Sequence, residues 1–220
     1  YDIFQKVSCI DYDAGDYVSI LTPPKNIIDE TKHLVKPNTI LLHMEATVRL
    51  RMTSPERWIE IMKLLIEKGF NIGIIDHQGK AAAIEEYINK LGVMGVDTTR
   101  IQNLSAFSES ITHGISLFTH CKGGIVVDST FAHIGGAIKK PTVVLCGPYP
   151  AYNVVDKYET VVGMEKPPEW NECGNAPCYY NSQVHLCPYL LAQQAPGCMT
   201  IIDSKSVVDT LVSQIEKYSK

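Results

Sequence analysis

The sequence lacks any apolar run that could cross a membrane. Its longest, Gly124-Ile125-Val126-Val127 and residues 142–146, are of strand length, against the roughly 20 residues a spanning helix needs. The opening residues do not read as a signal peptide. Because the first residue is Tyr1 rather than Met, the start is read as a processed end or a cut from something longer. No Walker pattern and no G-x-G-x-x-G fingerprint occurs. Nor is positive charge in excess: 20 Lys and Arg face 24 Asp and Glu, a net charge of -4, which argues against a general nucleic-acid binder. What is present is ordinary globular chemistry, 45% apolar and 20% charged over 220 residues. That is enough to bury a core as one large domain or two small ones.

From Asn38 the chain becomes regular. Residues 39–43 are a short apolar run, read as a buried strand. Ser54-Pro55-Glu56 starts a helix with a capping hydroxyl, a proline at the first helical position and an early acid. Trp58, Ile61, Met62 and Leu65 recur at helical spacing until Gly69. Residues 71–75 are a strand and 80–91 a helix ending at Gly92. A strand follows near Arg100-Ile101, and Phe107, Ile111, Ile115 and Phe118 mark the next helix. Residues 124–127 form a strand, 130–139 a short helix and 142–146 a strand. Upstream, Ile27, Ile28, His33 and Leu34 suit one short helix. From Val154 to Gly197 regularity fails, until Asp203 or Ser204 caps a helix carrying Val207, Val208, Leu211, Val212 and Ile215.

Alternating strands and helices predict an α/β fold: a Rossmann-like, doubly wound parallel sheet, with a cysteine-rich irregular insert and a C-terminal helix. The expected division is a connecting segment over 1–37, the Rossmann-like domain over 38–150, the insert over 151–199, and a helix over 200–220 packing back on the domain. Ligands of such sheets bind beyond the carboxyl ends of the strands. That rule selects residues 43–51, 76–79, 104–105, 128–133 and 147–150.

Within that set, Asp128-Ser129-Thr130-Phe131-Ala132-His133 follows an apolar strand and enters a helix. Amides at a helix N-terminus favour an anion. Ser129 and Thr130 add hydroxyl donors, and His133 lies one turn on. Asp128 would repel phosphate and so suits a sugar hydroxyl or a cation. Gly135 and Gly136 leave room for the helix to approach the sheet. The plain alternative is an ordinary helix cap followed by a core histidine.

The stretch from Gly124 through this turn, Gly135-Gly136, Lys140-Pro141 and Gly147-Pro148 resembles the donor-binding pattern of glycosyltransferase family nine, the heptosyltransferase-like enzymes. One departure is Thr130, where the family usually has glycine. The resemblance implies the C-terminal, donor-binding domain of a GT-B enzyme that transfers a sugar, with inversion, from a nucleotide-diphosphate donor. It implies that Thr47 and Arg51, in the loop after the first strand, contact donor phosphate or sugar. Arg51 stands where the family has lysine, and a planar fork replaces a point charge. Ordinary surface charge is the alternative for Arg49 and Arg51. By the same resemblance Leu104 lines the base, Ser105 caps the following helix, and Asp76 lies near the ribose.

Seven cysteines are more than an enzyme of this size needs. Cys9, Cys121 and Cys146 are scattered and read as small hydrophobes. Cys173, Cys178, Cys187 and Cys198 fall within one irregular segment. Four thiolates can form a closed structural site for zinc or iron, with His185 as a substitute ligand. Two disulfides, or reduced thiols packed in a loop, are the alternatives. A cytosolic compartment argues against disulfides. Family-nine enzymes carry a similar late insert ending in Cys-Met, as Cys198-Met199 does here.

The family's catalytic base sits in an N-terminal domain for which this chain has no room, so no catalytic residue is assigned. The resemblance implies a glycan or lipopolysaccharide-type acceptor reached through that other domain, and a cytoplasmic location that extends to the inner-membrane surface. No catalytic divalent metal is expected, because basic side chains and the helix N-terminus would neutralise the leaving diphosphate. The competing readings are a non-catalytic nucleotide- or sugar-binding module, a metal-stabilised interaction domain, and a nucleotide-sugar epimerase of similar architecture.

Overall fold

The computed structural model describes residues 21–173, 178 and 187–218. Among them, six strands form one parallel sheet: β1 (Thr39–His43), β2 (Asn71–Ile74), β3 (Ile101–Asn103), β4 (Gly123–Val127), β5 (Thr142–Leu145) and β6 (Val161–Met164), in the order β3-β2-β1-β4-β5-β6. The helices are α1 (Lys25–Thr31), α2 (Pro55–Glu67), α3 (Ala81–Val93), α4 (Ile111–His120), α5 (Thr130–Ala137), α6 (Ala151–Val154), α7 (Pro188–Leu191), α8 (Gly197–Thr200) and α9 (Ser204–Tyr218). The α/β, doubly wound, Rossmann-like fold read from the sequence is the observed one. The insert contributes three short helices, α6, α7 and α8, among its described residues, and α9 closes the described chain.

Alternation along β1 sorts its side chains into two cores. Ile40 and Leu42 join Trp58, Ile61, Met62 and Leu65 of α2 and Val207, Val208 and Leu211 of α9. Leu41 joins Leu117 and Phe118 of α4 and Phe131, Ala132 and Ile134 of α5. Burial on both faces explains why β4 reads as an unbroken apolar run. Helix α2 begins as expected: Ser54 accepts the Arg57 amide and Pro55 occupies the first helical position. Gly69 follows its end at φ +85°, a left-handed conformation that glycine adopts without strain. Asp203, not Ser204, caps α9 by accepting the Ser206 amide at 2.7 Å.

Two expectations need correction. Val161–Met164 is a sixth strand, paired with β5, inside the stretch read as irregular. Phe107 does not belong to α4. It sits in a 3-10 turn over Leu104–Phe107, and α4 starts at Ile111, where Ser110 accepts the His113 amide. Ile111 is itself exposed.

The two close glycine approaches expected in α5 are present. A Cβ on Gly135 would meet Thr142 Oγ1 at 2.4 Å, and one on Gly136 would meet Tyr158 Cγ at 2.2 Å. Cys121 and Cys146 are buried among apolar side chains. Burial pushes the Cys121 thiol up to about 12 and raises that of Cys146 as well, the behaviour of inert core residues. Cys9 lies outside the described residues. No described helix is long and apolar enough to cross a membrane.

Candidate functional site

Strand order reverses between β1 and β4, so the chain leaves these neighbours in opposite directions and opens a crevice beyond their carboxyl ends. A cleft of about 940 Å³ occupies that place. Thr47, Arg51, Asp76, Asp128, Ser129, Thr130 and His133 all line it. Residues spread over more than eighty positions of sequence thus share one cavity because three parallel strands end at its floor.

Arg51 and Asp128 form the central pair. Arg51 Nε lies 3.3 Å from Asp128 Oδ2, and Arg51 Nη1 donates to the Asp128 carbonyl at 3.4 Å. The guanidinium also lies over the Tyr149 ring, 5.1 Å from its centroid. Burial pushes the Asp128 carboxyl up, while the Arg51 and His133 charges draw it back down. Across the cleft, Lys80 Nζ reaches Asp76 Oδ2 at 3.2 Å and pairs more closely with Glu45. Asp76 Oδ1 also accepts the His77 amide at 2.7 Å. The side-chain cations Arg51 and Lys80 are therefore balanced by local acids. With Glu109 included, four acids and two side-chain cations line the cleft, so donor direction rather than net charge has to hold an incoming anion.

The turn into α5 supplies such direction. Ser129 occupies the cap position, yet its side chain makes no capping bond. Its Oγ lies 3.0 Å from His43 Nδ1 instead. The Ala132 amide bonds the Ser129 carbonyl at 3.0 Å, which leaves the Thr130 and Phe131 amides without a protein acceptor among the described residues. Thr130 and His133 are exposed on the cleft side. His133 Nδ1 lies 3.4 Å from the Tyr158 hydroxyl, so it is a surface residue rather than a core histidine.

Leu104 and Ser105 do not reach the cleft. Both are fully buried. Leu104 fills the space that Gly73 leaves on β2, where a Cβ would lie 2.4 Å from Leu104 Cδ1. Ser105 Oγ accepts the Asp76 amide at 2.7 Å, so it braces the loop after β2, and Ser110 is the residue that caps α4. Ser108, Glu109, Ser110 and Ile111 line that edge of the cleft instead.

Among the lining residues to which the sequence reading gives no role are His43, Glu45 and Lys80. His43 was within its reach, because it is the last residue of β1 and stands at the switch point. Its ring stacks on Phe131 with centroids 4.7 Å apart. Burial lowers its pKa to about 4, against a smaller upward pull from Asp76. Lys80 follows Asp76 at the i+4 spacing that makes pairs meet on a helical surface.

The four late cysteines converge. Cys173, Cys178, Cys187 and Cys198 line one small cavity of about 60 Å³, walled by Trp170, Tyr189 and Leu50. Burial pushes the Cys198 thiol up to about 12, with its three cysteine neighbours adding to the rise. No disulfide joins the described cysteines. Among the described residues no group of three ligating side chains is arranged to hold a metal ion, and His185 lies outside them. Soft sulfur donors in an enclosed pocket still have the chemistry that zinc and iron favour. The expectation of no catalytic divalent metal also takes the sequence to have no Asp-x-Asp pair; it has one, Asp11-Tyr12-Asp13, in the segment outside the described residues.

No protein-family model matches the chain, and no curated protein does. Solved structures do. The E. coli ADP-heptose lps heptosyltransferase II superposes with a TM-score of 0.68 at 14% identity, over 91% of this chain and 54% of that one. The glycosyl transferase family 9 structure from Veillonella parvula DSM 2008 gives 0.62 at 12%, over 90% and 54%. E. coli heptosyltransferase WaaC with ADP gives 0.50 at 16%, over 72% and 46%. The chain therefore has the fold found in heptosyltransferase-like, family-nine glycosyltransferases. It spans about half the length of the structures it matches.

Proposed function

We propose that this chain is the nucleotide-sugar-binding half of an inverting glycosyltransferase resembling the heptosyltransferases. The observation that carries the reading is the uncapped first turn of α5, aimed into a large cleft at the switch point of the sheet. Peptide amides with no internal acceptor favour a diphosphate there. One similar structure, that of E. coli heptosyltransferase WaaC, was solved with ADP.

In the reaction, a hydroxyl of the acceptor attacks the anomeric carbon while the nucleoside diphosphate departs. The Thr130 and Phe131 amides, the Thr47 hydroxyl and the Arg51 guanidinium take up the charge that develops on the leaving oxygens. Arg51 has five donors in a planar fork, so it holds Asp128 and an anion at once. Asp128 orients the guanidinium and offers its outer oxygen to a sugar hydroxyl. Asp76 faces the ribose from the β2 side. The base that deprotonates the acceptor belongs to the partner domain of the whole protein, together with the site for a glycan or lipopolysaccharide-type acceptor. On this reading the protein works in the cytoplasm, at the inner-membrane surface when it meets such an acceptor. The cysteine cavity takes a structural zinc or iron that ties the insert to the domain, with no position left open for catalysis.

Calorimetry with ADP, other nucleoside diphosphates and their sugars tests the reading. Saturable binding of a nucleoside diphosphate, weakened tenfold or more by Arg51→Ala or Asp128→Ala, supports it. Unchanged affinity in both variants overturns the donor site.

A further inference from the structure

We propose that His43 is a positioning residue, whose ring holds the Ser129 hydroxyl away from the first turn of α5 and so keeps the Phe131 amide, beside that of Thr130, open to a ligand anion. This rests on the donor-site reading above and assigns the device that keeps the site open.

A serine before a helix ordinarily turns its oxygen onto the amide two or three residues on. Two serines of this chain do so. Ser54 accepts from Arg57 and Ser110 from His113. Ser129 holds the same position before α5 and does not. The difference is a neighbour. His43 ends β1, which pairs with β4 so that His43 faces Val126, three residues before Ser129. Its Nδ1 takes the hydroxyl at 3.0 Å. Either tautomer makes the bond, since a neutral imidazole nitrogen and a hydroxyl can each donate or accept.

The ring cannot easily turn away. It stacks on Phe131, itself a first-turn residue of α5, so the helix whose cap is withheld also fixes the group that withholds it. Asp76, Lys80 and Glu45 are the charged groups that act on the ring from the cleft side, and burial keeps the imidazole neutral at ordinary pH. Without this bond Ser129 is free to rotate onto the amide of Phe131 or Ala132. A ligand phosphate would then have to displace an internal cap. A cap is worth about fivefold in an equilibrium, which sets the size of the effect expected here.

The test uses three variants, with ADP and inorganic pyrophosphate as probes in calorimetry and with thermal unfolding recorded in parallel. His43→Leu keeps bulk against Phe131 and removes the bond. It is expected to weaken both probes about fivefold or more, without loss of melting temperature beyond that expected of a buried substitution. His43→Asn retains a polar atom near the Nδ1 position and is expected to bind within about twofold of the parent. Adding Ser129→Ala to His43→Leu removes the competing cap and is expected to recover most of the lost affinity. That recovery is the readout a merely structural histidine would not give. If the parent binds neither probe, the donor-site reading falls and this inference with it. If the parent binds and His43→Leu binds equally well, or Ser129→Ala restores nothing, the role of His43 is overturned while the donor site stands.

Discussion

The guanidinium of Arg51 approaches a carboxylate that the sheet has already taken out of water: Nε to Asp128 Oδ2 is 3.3 Å, and the Asp128 side chain is only 9% exposed. Arg51 thus neutralises a buried acid and, on the donor-site proposal, also meets the ligand. Arg51→Ala should cost about 1–3 kcal/mol of stability, because it strands a buried charge, and should also weaken nucleoside-diphosphate binding about tenfold. Arg51→Lys keeps the charge without the fork. It is expected to restore much of the stability and little of the affinity. Urea unfolding and calorimetry on the same samples separate the two.

His43 makes stability depend on pH. Burial lowers its pKa from 6.5 to about 4, so between those values the unfolded chain takes up a proton that the folded chain refuses. Its contribution is complete above about pH 6.5 and is lost as pH falls toward 4. The difference in unfolding free energy between the parent and His43→Asn should change by about 2 kcal/mol between pH 7.5 and 5. Comparing the two proteins isolates His43 from Asp128, whose raised pKa works in the opposite direction. A flat difference would show that the ring stays hydrated.

Gly135 lets α5 approach β5 closely. Alanine there gains about 1 kcal/mol in helix propensity but places a methyl 2.4 Å from Thr142 Oγ1, and overpacking of a rigid core costs about 1–3 kcal/mol. Gly135→Ala should therefore be destabilising by about 1–2 kcal/mol in denaturant unfolding. Thr142→Ala in the same chain should return part of it. A Gly135→Ala protein as stable as its parent would show that α5 can shift on the sheet.

The cysteine cavity predicts metal in protein purified under reducing conditions. Elemental analysis should find about one zinc or iron per chain. Cys198→Ala should lose the metal and lower the melting temperature, leaving nucleotide affinity nearly intact. Metal-free protein whose four late cysteines all react with a thiol reagent would decide for unligated thiols.

Much of this fold was legible because its central strands are buried on both faces and α2 opens on a clear cap. Ser54-Pro55 marked α2, and the apolar runs marked β1, β4 and β5. The misses share a cause: local signals that only tertiary contacts interpret. Strand β6 has four residues, one of them glycine, and sits at the sheet edge, so it lacks an alternating pattern. Phe107 and Ile111 fit a helical period, yet Ser110 fixes the start of α4 between them. The resemblance sets Leu104 against the base; in the structure its side chain is buried in the space that Gly73 leaves on the neighbouring strand. At the cleft, the strand-end rule and the resemblance together picked out seven of the lining residues, but they could not show that Ser129 bonds sideways to His43 rather than forward along its own helix.

The packing of α9 also constrains how the protein is made. Val207, Val208 and Leu211 cover apolar residues of β4 and β5 and meet Trp58 and Leu65 across the same core, while Arg57 of α2 reaches Ser204 Oγ at 3.2 Å. These strands leave the ribosome well before the helix that shelters them. Until α9 emerges, a nascent chain carries a sticky flank, the kind of surface to which a holding chaperone binds.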